Sequence, residues 1–301
     1  MTSQLQSVSV IIVNHNGGDL LCECVRAALD QAEQVIVIDN DSSDASMAAL
    51  ELRFEEERLL VSRSQENRGF AAGCNRGLKL ATKSHILFIN PDCFLGKDSL
   101  RRMVEVLSSD PEVGMVGGLL NNLDGSEQGG GRRAVPTPWR SFVRAFGLSR
   151  LSGRWPRLFF DFHLHKQPLP DMPIEVEAIS GSLMLVKKDA VEDVGIWDEE
   201  YFLHCEDLDW CMRFRRHGWN ILFVPNAPAV HHHSYCSRSR PLFVEWHKHK
   251  GMVRFYRKFF RHQYPGFLMG LVVLGVWLRF VLVATAKSSL LIAKHIGVIR
   301  G

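Results

Sequence analysis

The chain is 301 residues long, 46% hydrophobic and 23% charged, with a formal net charge of +3. That is the make-up of an ordinary globular protein with a sizeable core, as one large domain or one domain plus an appendage. Its seven cysteines are odd in number and include no CxxC, which argues against a disulfide framework and for free thiols in a reducing compartment.

Residues 8–13 (VSVIIV) read as a first buried strand, ending on Asn14-His15-Asn16-Gly17-Gly18. The run is too short, and lacks the basic flank, for a secretory signal. Leu20, Leu21, Cys24, Val25 and Ala28 are then spaced for one buried helical face. Residues 34–38 (QVIVI) form a second strand ending on Asp39-Asn40-Asp41-Ser42-Ser43-Asp44, and one of the last three would cap the helix that runs through Leu52. A weaker strand over 59–62 leads into Glu66-Asn67-Arg68-Gly69-Phe70 and a helix over 71–81.

The stretch 85–92, HILFINPD, organises the rest. Ile86 to Ile89 is an unbroken apolar run, as in a strand buried on both faces of a parallel sheet. Proline cannot continue a central strand, so Asn90-Pro91-Asp92 ends it and leaves Asp92 at the strand's carboxyl end. In open α/β sheets, ligands bind at that edge. The competing reading makes Asp92 a cap for the helix expected over 97–107. With a further strand at 113–118, the β-α-β-α pattern predicts a doubly wound, mostly parallel sheet flanked by helices.

From residue 121 to 175 the periodicity fails, and Gly129-Gly130-Gly131 with five prolines mark loop. Trp139, Phe142, Phe146, Trp155, Phe159 and Phe160 alternate there with arginines. Such a pattern suits an anionic membrane surface or nucleic acid, or an insertion that packs its aromatics back on the core; no nucleic-acid partner is expected for the whole chain. Regular structure returns over 175–186, interrupted at Ile179-Ser180-Gly181-Ser182. It continues with Trp197-Asp198-Glu199, a helix over 206–217, a last strand over 220–224 and His231-His232-His233. Residues 246–262 are strongly basic, and 267–286 are almost wholly apolar, broken only by Arg279. Twenty such residues are about enough to span a bilayer core.

Three carboxylate clusters fall at turns or helix starts: Asp39 with Asp41 and Asp44, Asp92, and Glu206-Asp207 with Asp209. With the histidines after the last strand, this donor set suits a hard or borderline divalent ion, Mg²⁺ or Mn²⁺. Such an ion stabilises a diphosphate leaving group as a Lewis acid. A zinc site from the histidines and Cys236 is weaker, because no second pair stands at finger spacing.

The pieces VSVIIVNHN, VIDNDSSD, ENRGFAAGCNRG, FINPD, SGSLML, WDEEYFLHCEDLDWCMRFRRHGW and VHHHSYCS run in this order from residue 8 to about 237. On this ordered set the chain resembles a family 2 glycosyltransferase with a GT-A fold, of the rhamnosyltransferase-like branch. The resemblance implies an inverting transfer of a sugar, rhamnose-like by branch, from a nucleoside-diphosphate donor to a glycan or lipid-linked acceptor. It implies that Asp39 reads the base and that Asn14, Asn67, Gly69, Asn75 and Asn90 line the nucleotide-sugar pocket. Asp92 then holds the metal with a histidine, His231 or His233. Asp207 of the Glu206-Asp207 pair is the general base, and Gly181, Trp197, Asp198 and Glu199 face the acceptor. Asn90 departs from the pattern, since many relatives carry aspartate there.

The alternatives are a nucleotidyltransferase, which would show a Gly-rich cationic loop after the first strand, and a catalytically silent scaffold on a membrane. The expected organisation is a catalytic domain over 1–240, with 121–175 as an acceptor-side insertion, and a membrane-associated segment over 241–301. The basic run before the apolar stretch places the domain on the cytoplasmic face of the inner membrane. Arg279 within the stretch suggests an interfacial helix, or a hairpin that returns.

Overall fold

A computed structural model of the chain describes residues 5–160, 162–232 and 240–295, with side chains to 289. The first half alternates as expected: β1 (Gln6–Asn14), α1 (Leu20–Leu29), β2 (Ala32–Asp39), α2 (Ser46–Arg53), β3 (Leu59–Arg63), α3 (Phe70–Leu78) and β4 (His85–Ile89). Next come β5 (Cys93–Leu95), α4 (Ser99–Ser108), β6 (Val113–Asn121), β7 (Arg132–Arg133) and α5 (Pro138–Ala145). The chain then forms β8 (Ile174–Glu175), β9 (Ala178–Ile179), β10 (Leu183–Lys187), α6 (Lys188–Val194), α7 (Glu206–Arg216) and β11 (Asn220–His231), followed by α8 (Pro241–Phe260) and α9 (Phe267–His295).

The main sheet has the order β3-β2-β1-β4-β10-β6-β11-β5, with β8 beside β11. Strands β3, β2, β1 and β4 are parallel, and β10 runs antiparallel between β4 and β6, which turns β6 and its parallel partner β11 back to the common direction. The sheet is therefore mostly parallel, covered on both faces. Strand alternation explains the burial. Val8, Val10 and Ile12 of β1 join the core under α1, α2 and α4, while Ile11 and Val13 join the core under α3, α6, α7 and α8.

Four local readings are corrected. Asp92 does not cap a helix, because β5 intervenes and α4 starts at Ser99 behind Asp98. The last strand runs on to His231, held by pairing with β6 and β5; His231 therefore lies in the sheet edge and not after it. His233 and Cys236 lie outside the described residues. The aromatics of the 121–175 insertion do not return to the core: Trp139, Phe142, Phe146 and Trp155 are all at least 43% exposed. They stack on one another instead, with Trp139 against Phe142 at 5.6 Å and Phe142 against Phe146 at 4.5 Å.

The apolar stretch is one continuous helix and not a hairpin. Phe267–Ser289 is long and apolar enough to cross a membrane, with a mean hydropathy of 2.4. Its cations are accommodated by turning them toward α8. Arg279 Nη1 lies 2.7 Å from His249 Nε2, and Lys287 Nζ lies 2.8 Å from Glu245 Oε1. Trp246 packs on Trp277 at 5.0 Å beside them, while Leu274, Leu278, Val281 and Leu282 stay more than half exposed.

Candidate active site

A cleft of about 1270 Å³ opens at the carboxyl edge of the sheet, walled by the loops after β1, β2 and β4, the start of α7, the insertion, and α8 with α9. This is the edge predicted from HILFINPD. Asn14 and Asp39 end neighbouring strands in register, and Asn121 of β6 lies beside Val230, next to His231.

Asp92 and His231 meet on this edge, both about 95% buried. Asp92 Oδ1 is 3.2 Å from His231 Nε2, and the His232 N–H donates to the Asp92 carbonyl at 2.8 Å. Gln128 sets the imidazole's tautomer. Its amide nitrogen donates to Asn122 Oδ1 and to the His231 carbonyl, so its Oε1 is the atom that faces His231 Nδ1 at 2.6 Å. A carbonyl oxygen can only accept, so Nδ1 carries a proton and Nε2 is the ring nitrogen that faces the carboxylate. With Nε2 deprotonated, that nitrogen and the carboxylate would be two acceptors for one cation, and a histidine ligand commonly donates its other N–H to such a carbonyl. Among the described residues no group of three His, Cys, Asp or Glu side chains converges. The pair therefore fits a hard ion whose remaining ligands are substrate phosphate and water.

Opposite, α7 begins with both acids. His204 and Cys205, at φ 68° and 73°, turn the chain sharply before it. Left-handed backbone at two successive non-glycine residues is strained and needs support; α8 supplies it, since a Cβ on Gly251 would stand 2.8 Å from the His204 carbonyl. Glu206 is enclosed, and its Oε2 has no hydrogen-bond partner among the described residues. Burial, then the neighbouring Asp207, pushes its carboxyl up to about 8. Glu206 thus holds a proton more readily than an ordinary carboxyl, and Asp207 is the acid of the two that pairs with a cation on the cleft. Arg133 pairs with Asp207 Oδ2, and the Gly181 N–H donates to the same oxygen at 3.3 Å. Arg133 reaches it because β7 places Arg132 and Arg133 on opposite faces. Arg132 is buried in a bidentate pair with Glu127, while Arg133 enters the cleft.

Asn67, Gly69 and Asn90 line the cleft with Asn40 and Asp41. Gly69, at φ 92°, abuts the Phe202 carbonyl so closely that a Cβ would stand 2.4 Å from it. Asn14 and Asp39 act from beneath. Asn14 Nδ2 donates to Ser42 and Ser46 at 3.0 Å, and Asp39 Oδ1 accepts from the Ser42 N–H at 3.1 Å. Both shape the 40–43 loop that forms the wall. Asn75 stands apart, bonded to both the carbonyl and the N–H of Trp197 and to Glu199. Of the acceptor-side set only Gly181 lines the cleft. Trp197 is core, stacked at 4.2 Å on Trp210. Asp198 is bound by Arg254 and Lys258 of α8 at 2.9 and 2.7 Å. These residues brace the cleft because burial and ion pairing consume their functional groups. Asp209 is likewise spent, in ion pairs with Arg213 and Lys258. Sequence reading missed Gln128, Arg133, Lys248 and Arg279 as cleft residues.

Residues 9–194 match the family described as Glycosyl transferase family 2. An N-acetylglucosaminyl-diphospho-decaprenol L-rhamnosyltransferase of Mycobacterium tuberculosis is 28% identical over 225 residues, 71% of each chain. A low-salt glycan biosynthesis hexosyltransferase of Haloferax volcanii is 24% identical over 76% of this chain and 68% of its own. Among solved structures, a mannosyltransferase from Pyrobaculum calidifontis in complex with GDP-Man and Mn²⁺ superposes with a TM-score of 0.57 at 17% identity, covering 99% of this chain and 81% of that one. The S. aureus protein TarS, residues 1–349, superposes at 0.52 and 14% identity, over 85% of this chain and 73% of that one. These likenesses establish the GT-A fold.

Proposed function

We propose that this chain, which belongs to glycosyl transferase family 2, moves a rhamnose-like sugar from a nucleoside diphosphate to a hydroxyl of a glycan or lipid-linked acceptor, with inversion. The observation that carries the reading is the facing of two unlike half-sites across one cleft: Asp92 with His231, and Asp207 with Arg133. The rhamnosyltransferase named above, with its diphospho-decaprenol acceptor, supports the choice of sugar and acceptor. A nucleotidyltransferase would fall in another family.

Asp92 and His231 would hold a divalent ion, Mg²⁺ or Mn²⁺, which when bound neutralises charge developing on the departing diphosphate. Asn40, Asp41, Asn67 and Gly69 seat the nucleotide. Asp207 removes the proton from the acceptor hydroxyl as its oxygen attacks the anomeric carbon from the side opposite the leaving group. Arg133 and the Gly181 N–H fix the carboxylate for that transfer, which contributes roughly 10²–10⁴-fold. Attack and departure on opposite faces invert the centre. A panel of nucleoside diphosphates tests the reading by thermal stabilisation. A preferred diphosphate at 100 times its Kd should add about 2.7 kcal/mol, only with the divalent ion present. Equal melting with every nucleotide, with and without metal, would refute it.

The catalytic domain is proposed to sit on the cytoplasmic face of a membrane, attached through α9 with basic residues of α8 near the lipid. Anionic lipid adds roughly 1 kcal/mol for each nearby Lys or Arg. Ending the chain after Gln263 should release the protein to the soluble fraction with nucleotide binding retained. Full-length protein already soluble without detergent would defeat this placement.

A further inference from the structure

The cleft is also lined by positive charge that neither half-site uses. Arg144 on α5, Arg240 at the start of α8, Lys248 on α8 and Arg279 on α9 all line it, brought together from four separate points of the chain. Nearby acid is already committed. Glu245 is bound by Lys287 at 2.8 Å and lies 3.6 Å from His249, and Asp207 is held by Arg133. The Lys248 ammonium makes no hydrogen bond or ion pair among the described residues, its carbonyl alone accepting from Cys205 Sγ. Arg279 keeps its charge in its own contact. His249 Nδ1 faces the Glu245 carbonyl at 2.7 Å and so carries the proton, which makes Nε2 the neutral acceptor for Arg279. Burial and the Lys248 charge push His204, on the same wall, down to about 4, and burial lowers Lys248 itself. A half-buried ammonium that shares its nearby carboxylate, Glu245, with Lys287 is costly, and an anionic ligand removes that cost with charge-assisted hydrogen bonds.

The surroundings say what the anion is attached to. Phe243 lines the cleft as well and is 40% exposed, with Trp246 at 47% one turn along α8. Arg279 is flanked on α9 by Leu278 and Leu282, exposed by 56% and 72%. Cations at the bottom and apolar side chains leading away describe an amphiphile with a phosphate head.

We propose that Lys248 and Arg279, with Arg240 and Arg144, bind the phosphate or diphosphate of a prenyl-linked acceptor, whose hydrocarbon leaves the cleft along Phe243, Trp246 and the exposed face of α9. The site gives the acceptor an anchor built from residues other than the Asp92–His231 pair, so head group and donor need not share side chains. The inference rests on the glycosyl-transfer reading for the identity of the cleft's other occupant.

The test uses the full chain in neutral detergent and equilibrium binding of farnesyl diphosphate, farnesol and inorganic diphosphate, with a nucleoside diphosphate measured in parallel. Farnesyl diphosphate should bind more tightly than either fragment. Lys248→Gln and Arg279→Gln should each weaken it by about tenfold or more, with nucleoside diphosphate affinity within about twofold of the parent. Lys248→Arg should restore binding, which a purely structural role for the lysine would not require. Undiminished farnesyl diphosphate binding in both Gln variants overturns the proposal. So does inorganic diphosphate binding as tightly as farnesyl diphosphate and displaced by the nucleotide, because the cations then serve the donor. A parent protein that ignores nucleotides but binds farnesyl diphosphate through Lys248 would refute the proposed function and leave this site standing.

Discussion

Asp207→Asn should leave donor binding unchanged and lower the transfer rate by roughly 10²–10⁴-fold, the worth of positioned proton transfer. The amide is nearly isosteric, and its oxygen can still accept from Arg133 and from the Gly181 N–H, which now hold Asp207 Oδ2. The fold and the cleft should persist, while the amide nitrogen gives up, with the proton acceptor, the bond that Oδ1 accepts from the Leu208 N–H at 2.8 Å. Glu206→Gln serves as the contrasting variant. Glu206 is buried and pushed up to about 8, so at neutral pH the amide replaces a carboxyl that is already uncharged, and the effect on turnover should be far smaller. Single-turnover rates with the nucleotide Kd measured alongside separate the two. Near-normal turnover in Asp207→Asn, with a collapse in Glu206→Gln, would transfer the role to Glu206.

Asp92→Ala should abolish the metal dependence of nucleotide binding. Residues that merely orient a metal ligand cost about 10–100-fold in metal affinity when removed, so losing one of two protein ligands should cost at least that. Melting of the variant without metal, measured alongside, separates loss of the ligand from loss of the His231 contact. Titration of Mn²⁺ against a fixed nucleoside diphosphate reads the effect. A variant whose nucleotide affinity responds to metal as the parent's does would remove Asp92 from the site and make its burial at the strand end purely structural.

Much of the fold was legible because its signals are local. The apolar run Ile86–Ile89 ending at a proline defines a buried strand wherever the chain goes, and residues 8–13 and 34–38 do the same for β1 and β2. The edge on which Asp92 lies follows from those strands. The length of β11 was not legible: the strand was expected over 220–224, yet pairing with β6 resumes past an irregularity between Val224 and Pro228 and carries His231 into the sheet. The fates of Trp197 and Asp198 were hidden for a similar reason. The resemblance put Trp197 and Asp198 on the acceptor side, and only the positions of Trp210 and of Arg254 and Lys258 in space make them core and ion pair.

What the sequence by itself determined is the sheet and the carboxyl edge on which Asp92 lies, because strand periodicity and turn chemistry act over a few residues. Only the tertiary structure decided how Glu206 and Asp207 differ, since that depends on the burial of Glu206 and on Arg133, 74 positions from Asp207. It alone oriented His231 through Gln128, 103 positions away. It also turned Arg279 from an interruption of an apolar helix into part of the cleft wall, because α9 folds back on α8 and presents one face to His249 and Glu245. Charge can be read from a sequence, but its partners lie wherever the packing of the helices brings them.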